Sequence, residues 1–355
     1  MFGLDRRTLY VAWTLFAFVL VLAAIYSMRR TLVIFTLALF LAHLLNPMVR
    51  FAQRFVPRRA SPTIALAIVY VLLLGIMTVI VAQIGSRVAE QASVLASKLP
   101  QAMQENNPLK DVPLPAWLEP AREKLTVVLK ERLQDLNQQV LPILSTAGAH
   151  ILNGLGSLLS VILIPILSFL FVKDGALMRD GFAHMFQEPV RGLVQGILHD
   201  LDLLLDNYIR ALVLLAIATL VFYLGFLSIA GAPFPLLLAA IASILEFIPV
   251  VGPLVGSVVI ILVAAFTGYD HMWWIVFFLV FYRIFQDYVL NPYLMSSGVE
   301  IHPLLVLFGV FAGEEIAGVP GMFFSIPLIA ALRLIVHRLS FHPYHASPPQ
   351  QVQSD

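Results

Sequence analysis

The stretch Leu245-Glu246-Phe247-Ile248-Pro249-Val250-Val251-Gly252-Pro253-Leu254-Val255-Gly256 interrupts a run that is otherwise apolar from Phe234 to Phe266. Two prolines, two glycines and one carboxylate stand inside what would otherwise be an uninterrupted hydrophobic helix. Proline lacks an amide donor and clashes with the carbonyl four residues back. Pro249 therefore disturbs the turn at Leu245–Glu246, and Pro253 the turn at Pro249. Gly252 and Gly256 can adopt positive φ. In hydrocarbon an unpaired backbone group is costly, so irregular backbone survives only where protein or a water-filled cavity surrounds it. Residues 246–253 are expected to form an unwound stretch or a re-entrant tip, with Glu246 beside freed carbonyls. An acid inside a span faces a cavity or a partner.

The rest of the chain supports a membrane setting. Of 355 residues, 60% are hydrophobic and 12% charged, against about 25% charged in soluble domains. This composition is that of a multi-span membrane protein. A net charge of +1 gives no ground for a nucleic-acid partner. Cysteine is absent, which excludes disulfides, iron–sulfur clusters and thiolate chemistry. The basic, then apolar start lacks a small-x-small cleavage site and continues into Met28, Arg29 and Arg30. It reads as a retained first span.

A span takes about 20 apolar residues, and eight runs qualify or nearly so: 9–26, 31–48, 62–84, 146–172, 208–230, 235–266, 272–290 and 303–336. The fold expected is all-α and polytopic, with eight transmembrane helices, the sixth and eighth of them broken. Residues 1–84 hold the first three spans, 85–142 an extramembrane helical region and 143–172 the fourth span. Residues 173–207 form a cytoplasmic amphipathic segment, 208–340 spans five to eight, and 341–355 a cytoplasmic tail. Arg6 and Arg7, the Arg50, Arg54, Arg58 and Arg59 loop, and Arg333 and Arg338 all fall on one side by this count. The positive-inside rule puts that side, and both termini, in the cytoplasm. Arg29 and Arg30 then face outward, against the rule.

The 85–142 region has seven basic and seven acidic residues. Its prolines divide it into two helical pieces, Val88–Leu99 and Ala121–Val140. The second carries an apolar stripe at i, i+3, i+4 spacing. That stripe buries against a neighbouring subunit, the membrane surface or its own partner piece, Val88–Leu99, the last as a helical hairpin covering the outer end of the bundle. Asp200, Asp202 and Asp206 lie on an amphipathic segment before the fifth span, as a cation site or as a solvated helix face.

The last span repeats the design of the sixth. Glu246 and Glu314 each stand eleven residues after a proline, Pro235 and Pro303. Gly252-Pro253 falls opposite Pro320-Gly321 in PLLLAAIASILEFIPVVGP and PLLVLFGVFAGEEIAGVPG. Breaks at corresponding positions of two hydrophobic segments point to a transporter's binding site. With one span between them both segments enter from the same side, which makes the repeat parallel. On the seventh span, Arg283 and Asp287 at i, i+4 can pair beside Gln286, as a gate or ion relay or as a structural salt bridge. Gly148, Asn153, Gly156, Ser157 and Ser160 suit close helix packing. No HExxH, GxSxG or Walker A motif occurs, and the histidines lack metal-ligand spacing. No enzyme activity, cofactor or metal is expected.

Several motifs run in order along the chain. They are Lys173-Asp174-Gly175, Asn207-Tyr208-Ile209-Arg210, Glu246-Phe-Ile-Pro249-Val-Val-Gly252-Pro253, Gln286-Asp-Tyr-Val-Leu-Asn291-Pro292, Ile301-His302-Pro303-Leu304, and AGEEIAGVPGMFFSIP ending at Pro327. With these, the chain resembles the autoinducer-2 exporter (AI-2E) family of bacterial membrane proteins. Tyr208, Arg210, Asn291, Pro292, His302 and Pro303 carry the motifs. The resemblance implies an eight-span, oligomeric inner-membrane transporter. One departure stands out: Ala211-Leu212 follows Tyr208-Ile209-Arg210, where many relatives carry Gly-Gln after a Tyr-Leu-Arg motif.

Three readings follow. The first is a secondary transporter exporting a small polar solute, such as an autoinducer-2-like signal, coupled to an ion gradient. Its pathway would use Glu246, Pro249, Gly252, Pro253, Glu314, Glu315, Pro320 and Gly321. The second is a sodium/proton antiporter without an organic substrate, and the third a non-transporting scaffold. Partners expected are lipid, the solute with protons or sodium, and further copies of the chain.

Overall fold

The structure, a computed structural model, describes residues 6–54, 61–105, 120, 155–188, 190–294 and 301–340. The stripe Ala121–Val140, Gly148, Asn153 and the tail 341–355 lie outside the described residues. Among these residues every element is helical. Five of the described helices are long and apolar enough to cross a membrane, so the chain is a membrane protein whose described part is all-helical.

Helices α1 (Arg6–Ser27) and α2 (Arg29–Gln53) form the first pair. Helix α3 (Pro62–Glu105) runs 44 residues without a stop, about 66 Å. Val88–Leu99 is therefore a continuation of the third span rather than a separate piece: no proline stands between Gln83 and Arg87, and Gly85 alone costs only about 1 kcal/mol. Helix α4 (Leu155–Ala183) and helix α5 (Val190–Ile229) follow. The polar segment before the fifth span is thus the first part of one 40-residue rod. Tyr70 on α3 shares a 2.6 Å hydrogen bond with Ser168 on α4. Around it Leu45, Val49, Leu66 and Val69 form one apolar core.

The two ends of α5 define the two faces of the bundle. At the Asp200 end, Arg338 reaches Asp200, while Arg179 and His43 reach Asp202. Two of the three aspartates are therefore neither a cation site nor a solvated face: they tie α2, α4 and the last helix to α5. Asp206 Oδ1 is buried without a hydrogen-bond partner among the described residues. At the Ile229 end, the Tyr269 hydroxyl donates to Ala230 O at 2.5 Å, fixing the loop that leads into the seventh apolar run.

The runs 235–266 and 303–336 differ most from expectation. Each is two helices folded back on one another. Helix α6 (Pro235–Leu245) and helix α7 (Val251–Phe266) are joined by residues 246–250. A Cβ on Gly256 would lie 3.5 Å from Ala242 Cα, and one on Gly252 only 1.7 Å from Leu245 O. The glycines serve close approach, and Val250 takes the positive φ, 65°. Gly252 and Pro253 are already helical; Pro253 fits there because a first helical turn has no intrahelical use for its amide.

Helix α8 (Met272–Phe285) continues through a π turn, Gln286–Leu290, into α9 (Asn291–Leu294). Helix α10 (Pro303–Ala317) and helix α11 (Val319–Ser340) then form the second hairpin. They meet at Gly318, whose φ is 64°. A Cβ on Gly321 would lie 1.9 Å from Gly313 O.

The hairpins enter from opposite ends. The first descends from the Ile229 end; the second starts near the Asp200 end, where Arg338 pairs with Asp200. The intervening α8–α9 segment, 23 residues from Met272 to Leu294, carries the chain across. The parallel arrangement expected from sequence assumed that 235–266 crosses once. It turns back instead, which inverts the pair.

Candidate functional site

The tips of the two hairpins meet. Phe247, in the first tip, packs on Phe323, one turn into α11, with ring centroids 5.7 Å apart. Glu246 lies opposite Thr219, ten residues below Ile229 along α5, or about 15 Å at 1.5 Å per residue. Gly318 stands twenty residues above Arg338, about 30 Å. That is also the height of Thr219 above Asp200. Both tips therefore reach the same depth, midway along the apolar part of α5.

Glu246 follows the last residue of α6 and is 7% exposed. Its two carboxylate oxygens are engaged separately. Gln286 Nε2, from the first position of the π turn, donates to Oε1. Thr219 Oγ1 donates to Oε2 at 3.3 Å. Because that hydroxyl has one proton to give, the Tyr282 hydroxyl, 2.9 Å away, donates to Thr219. The chain Tyr282→Thr219→Glu246 is a relay of hydroxyls ending on a carboxylate. Gln286 is 3% exposed, and its i, i+4 spacing from Tyr282 puts both side chains on the same inward face. Single π turns occur often at functional sites.

The remaining residues singled out from sequence are divided by the structure. Gln286 joins Glu246, whereas Arg283 and Asp287 pair with each other at 2.8 Å, 45% and 39% exposed. Asn291 Nδ2 donates to Asp287 Oδ1 at 3.2 Å, and Pro292 sits in α9. Pro249 lies in the first tip; Gly252 and Pro253 are the second and third residues of α7. Pro320 and Gly321 hold the same positions in α11. Glu314 and Glu315 are exposed, inside the last turn of α10.

His302 caps α10, its Nδ1 accepting from Leu304 N at 3.3 Å, and Pro303 is the first helical residue. The Tyr208 hydroxyl is buried without a partner among the described residues, and Arg210 is exposed on α5. No group of three acidic or histidine side chains that could hold a metal occurs among the described residues.

Sequence reasoning missed Thr219 and Tyr282. Each is a hydroxyl inside a strongly apolar run, one on the fifth and one on the seventh. That is a weak signal alone, because a lone threonine in a span also bonds its own helix.

The profile of AI-2E family transporters matches residues 15–341. The putative transport protein YueF of Bacillus subtilis is 26% identical over 302 residues, covering 81% of this chain and 78% of that protein. The AI-2 transport protein TqsA of Escherichia coli is 25% identical over 324 residues, covering 90% and 89%. Putative transport protein YrrI of Bacillus subtilis is 29% identical over 205 residues, so the chain spans 57% of that relative. The chain belongs to the AI-2E transporter family.

Proposed function

We propose that this protein is a secondary transporter of the bacterial inner membrane, exporting a small polar solute by coupling to an ion gradient. One observation carries the reading: two helical hairpins enter from opposite faces, and their tips meet at mid-depth beside a buried carboxylate. Broken helices that converge at the midplane are how transporters build binding sites in lipid. The topology proposed is six crossings, made by α1 to α5 and the α8–α9 segment, with the two hairpins re-entrant, in place of eight spans. It puts both termini at the Asp200 end, which carries Lys173, Arg179, Arg191 and Arg338 and is assigned to the cytoplasm by the positive-inside rule.

Glu246 is the ion-coupling group. Both its oxygens are already engaged and the residue is enclosed, so a proton reaches it more readily than an organic solute does. Proton binding or release changes the strength of its two hydrogen bonds, and these bonds fasten the first hairpin to α5 and α8. The solute then occupies the space between the tips, bounded by Pro249, Gly252, Pro253, Glu314, Glu315, Pro320 and Gly321. An autoinducer-2-like furanosyl signal is the first solute to test, following the name of the Escherichia coli relative.

The deciding experiment is export from proteoliposomes under an imposed pH gradient. Glu246→Gln keeps the shape and removes the charge, and should abolish gradient-driven transport. Unchanged transport would refute the role. Sodium/proton exchange without solute is the second reading, favoured by the same enclosure of Glu246. A sodium-dependent change in lumenal pH without added solute would select it.

A further inference from the structure

We propose that the cavity between the α1–α2 turn and the tip of the second hairpin binds a small polyhydroxylated organic anion, with Arg29 receiving the anionic group. The cavity is about 480 Å³ and is lined by Arg29, Val33, Ile34, Glu315, Ile316 and Gly318 among others. Its volume falls in the range of small-molecule sites, about 300–1,000 Å³. The composition of its wall identifies the ligand.

Arg29 Nη1 donates to the Tyr26 hydroxyl at 3.0 Å and to Ile316 O at 3.3 Å. The guanidinium carbon lies 4.6 Å from the Tyr26 ring centroid. These contacts anchor the group without neutralising it. Nε and Nη2 donate to no described residue, and no described carboxylate pairs with Arg29. The contact with Ile316 places this cation beside the second tip. Its planar fork matches a carboxylate or phosphate through two parallel hydrogen bonds.

The facing wall narrows the choice. Glu315 and the carbonyl end of α10, which carries partial negative charge, repel a bare inorganic anion and accept hydrogen bonds from hydroxyls. The occupant is therefore acidic at one end and hydroxylated at the other. In the transport reading, on which this role rests, Arg29 recognises the solute while Glu246 carries the coupled ion.

The test reads binding rather than transport, so its failure and that of the transport reading are separate results. The chain has no cysteine, so Ala317→Cys gives a single thiol in the cavity wall, with Ile316→Cys as a second position should the first disturb the tip. The variant is placed in phosphatidylcholine nanodiscs, and its labelling by a maleimide is timed with potassium gluconate or with sorbitol, which differ by a carboxylate. Gluconate is expected to slow labelling several-fold and sorbitol to leave it unchanged. Arg29→Gln should weaken gluconate protection about tenfold or more, with Arg29→Lys retaining part of it. Equal effects of gluconate and sorbitol, or protection that survives Arg29→Gln, would overturn the assignment. So would protection by inorganic phosphate alone. Slow labelling in phosphatidylglycerol discs without gluconate, and no protection in phosphatidylcholine, would give the cavity to a lipid headgroup and also overturn it.

Discussion

The two hairpins share a sequence plan and differ in what they do with it. In both, a proline opens the descending helix and a Gly/Pro pair occupies the second and third residues of the returning one. In both, glycines let the two helices touch. Yet the aligned acids land in different places. Helix α6 has 11 residues, so the acid eleven places after Pro235 falls at the tip and is buried. Helix α10 has 15 residues, so Glu314 at the same offset is still helical and exposed. Pro249 stops the first helix early, whereas the second runs on to Gly318. Spacing from the opening proline locates a helix, but the residue that stops it decides which side chain reaches the tip.

The largest expected effect breaks this pair apart. Glu246→Gln should lower gradient-driven export at least about tenfold, the consequence of losing charge-assisted hydrogen bonds of about 1.5–3 kcal/mol. Glu314→Gln should cost less, since Glu314 is exposed and borders the solute without carrying the coupled ion. Proteoliposome flux measures both. Equal losses would mean that the hairpins are functionally alike despite their geometry.

Next come the glycines, where the hairpins should behave alike. Gly252→Ala drives a methyl group onto Leu245 O and Gly321→Ala onto Gly313 O. Backbone cannot move aside as a side chain does, so each substitution should cost about 3 kcal/mol or more. Gly75→Ala, with nothing within 4 Å of the new carbon, is the control. Thermal unfolding in detergent distinguishes them. A mild Gly252→Ala would show that the first hairpin can open without strain.

Much of this was legible in the residues. Membrane class followed from composition, the location of the breaks from Pro249 and Gly252-Pro253, and the enclosure of Glu246 from an acid in an apolar run. The fold-back was not legible, because the hydropathy of two short antiparallel helices equals that of one long one. The inversion followed from the fold-back and was lost with it. Nor could one-dimensional spacing show that Arg29, placed at an outward hairpin by counting spans, touches a carbonyl 287 positions later in the chain. Thr219 and Tyr282 were hidden for the same reason: their importance lies in the partner, 27 and 63 residues from Thr219.

Thr219→Val tests that partnership. It removes the donor to Glu246 and the acceptor for Tyr282 with little change of shape. Stability should fall by about 1–3 kcal/mol, because a buried acceptor loses one of its two bonds. Tyr282→Phe should cost less, since Thr219 keeps its bond to Glu246. A Tyr282→Phe loss as large as that of Thr219→Val would place the important contact between the two hydroxyls rather than on the carboxylate.

The smallest effect concerns the entrances, where the hairpins differ again. His302 caps α10 from the adjoining residue. Helix α6 has no local cap: Phe234 stands at its start with φ 51° and offers no side-chain acceptor. The need is met from α3, whose Gln91 Oε1 accepts from Leu237 N at 2.9 Å. One of the four amides that a helix start leaves unpaired is thus satisfied across 146 residues of sequence. Gln91→Leu removes that acceptor and should cost about 1 kcal/mol, the usual value of a cap. The loss should appear as faster amide exchange in α6 and not in α10. His302→Ala should do the reverse. Gln91→Glu, which keeps the acceptor, should restore protection of α6. If Gln91→Leu leaves exchange in α6 unchanged, the extended part of α3 merely lies beside the first hairpin and does not hold it.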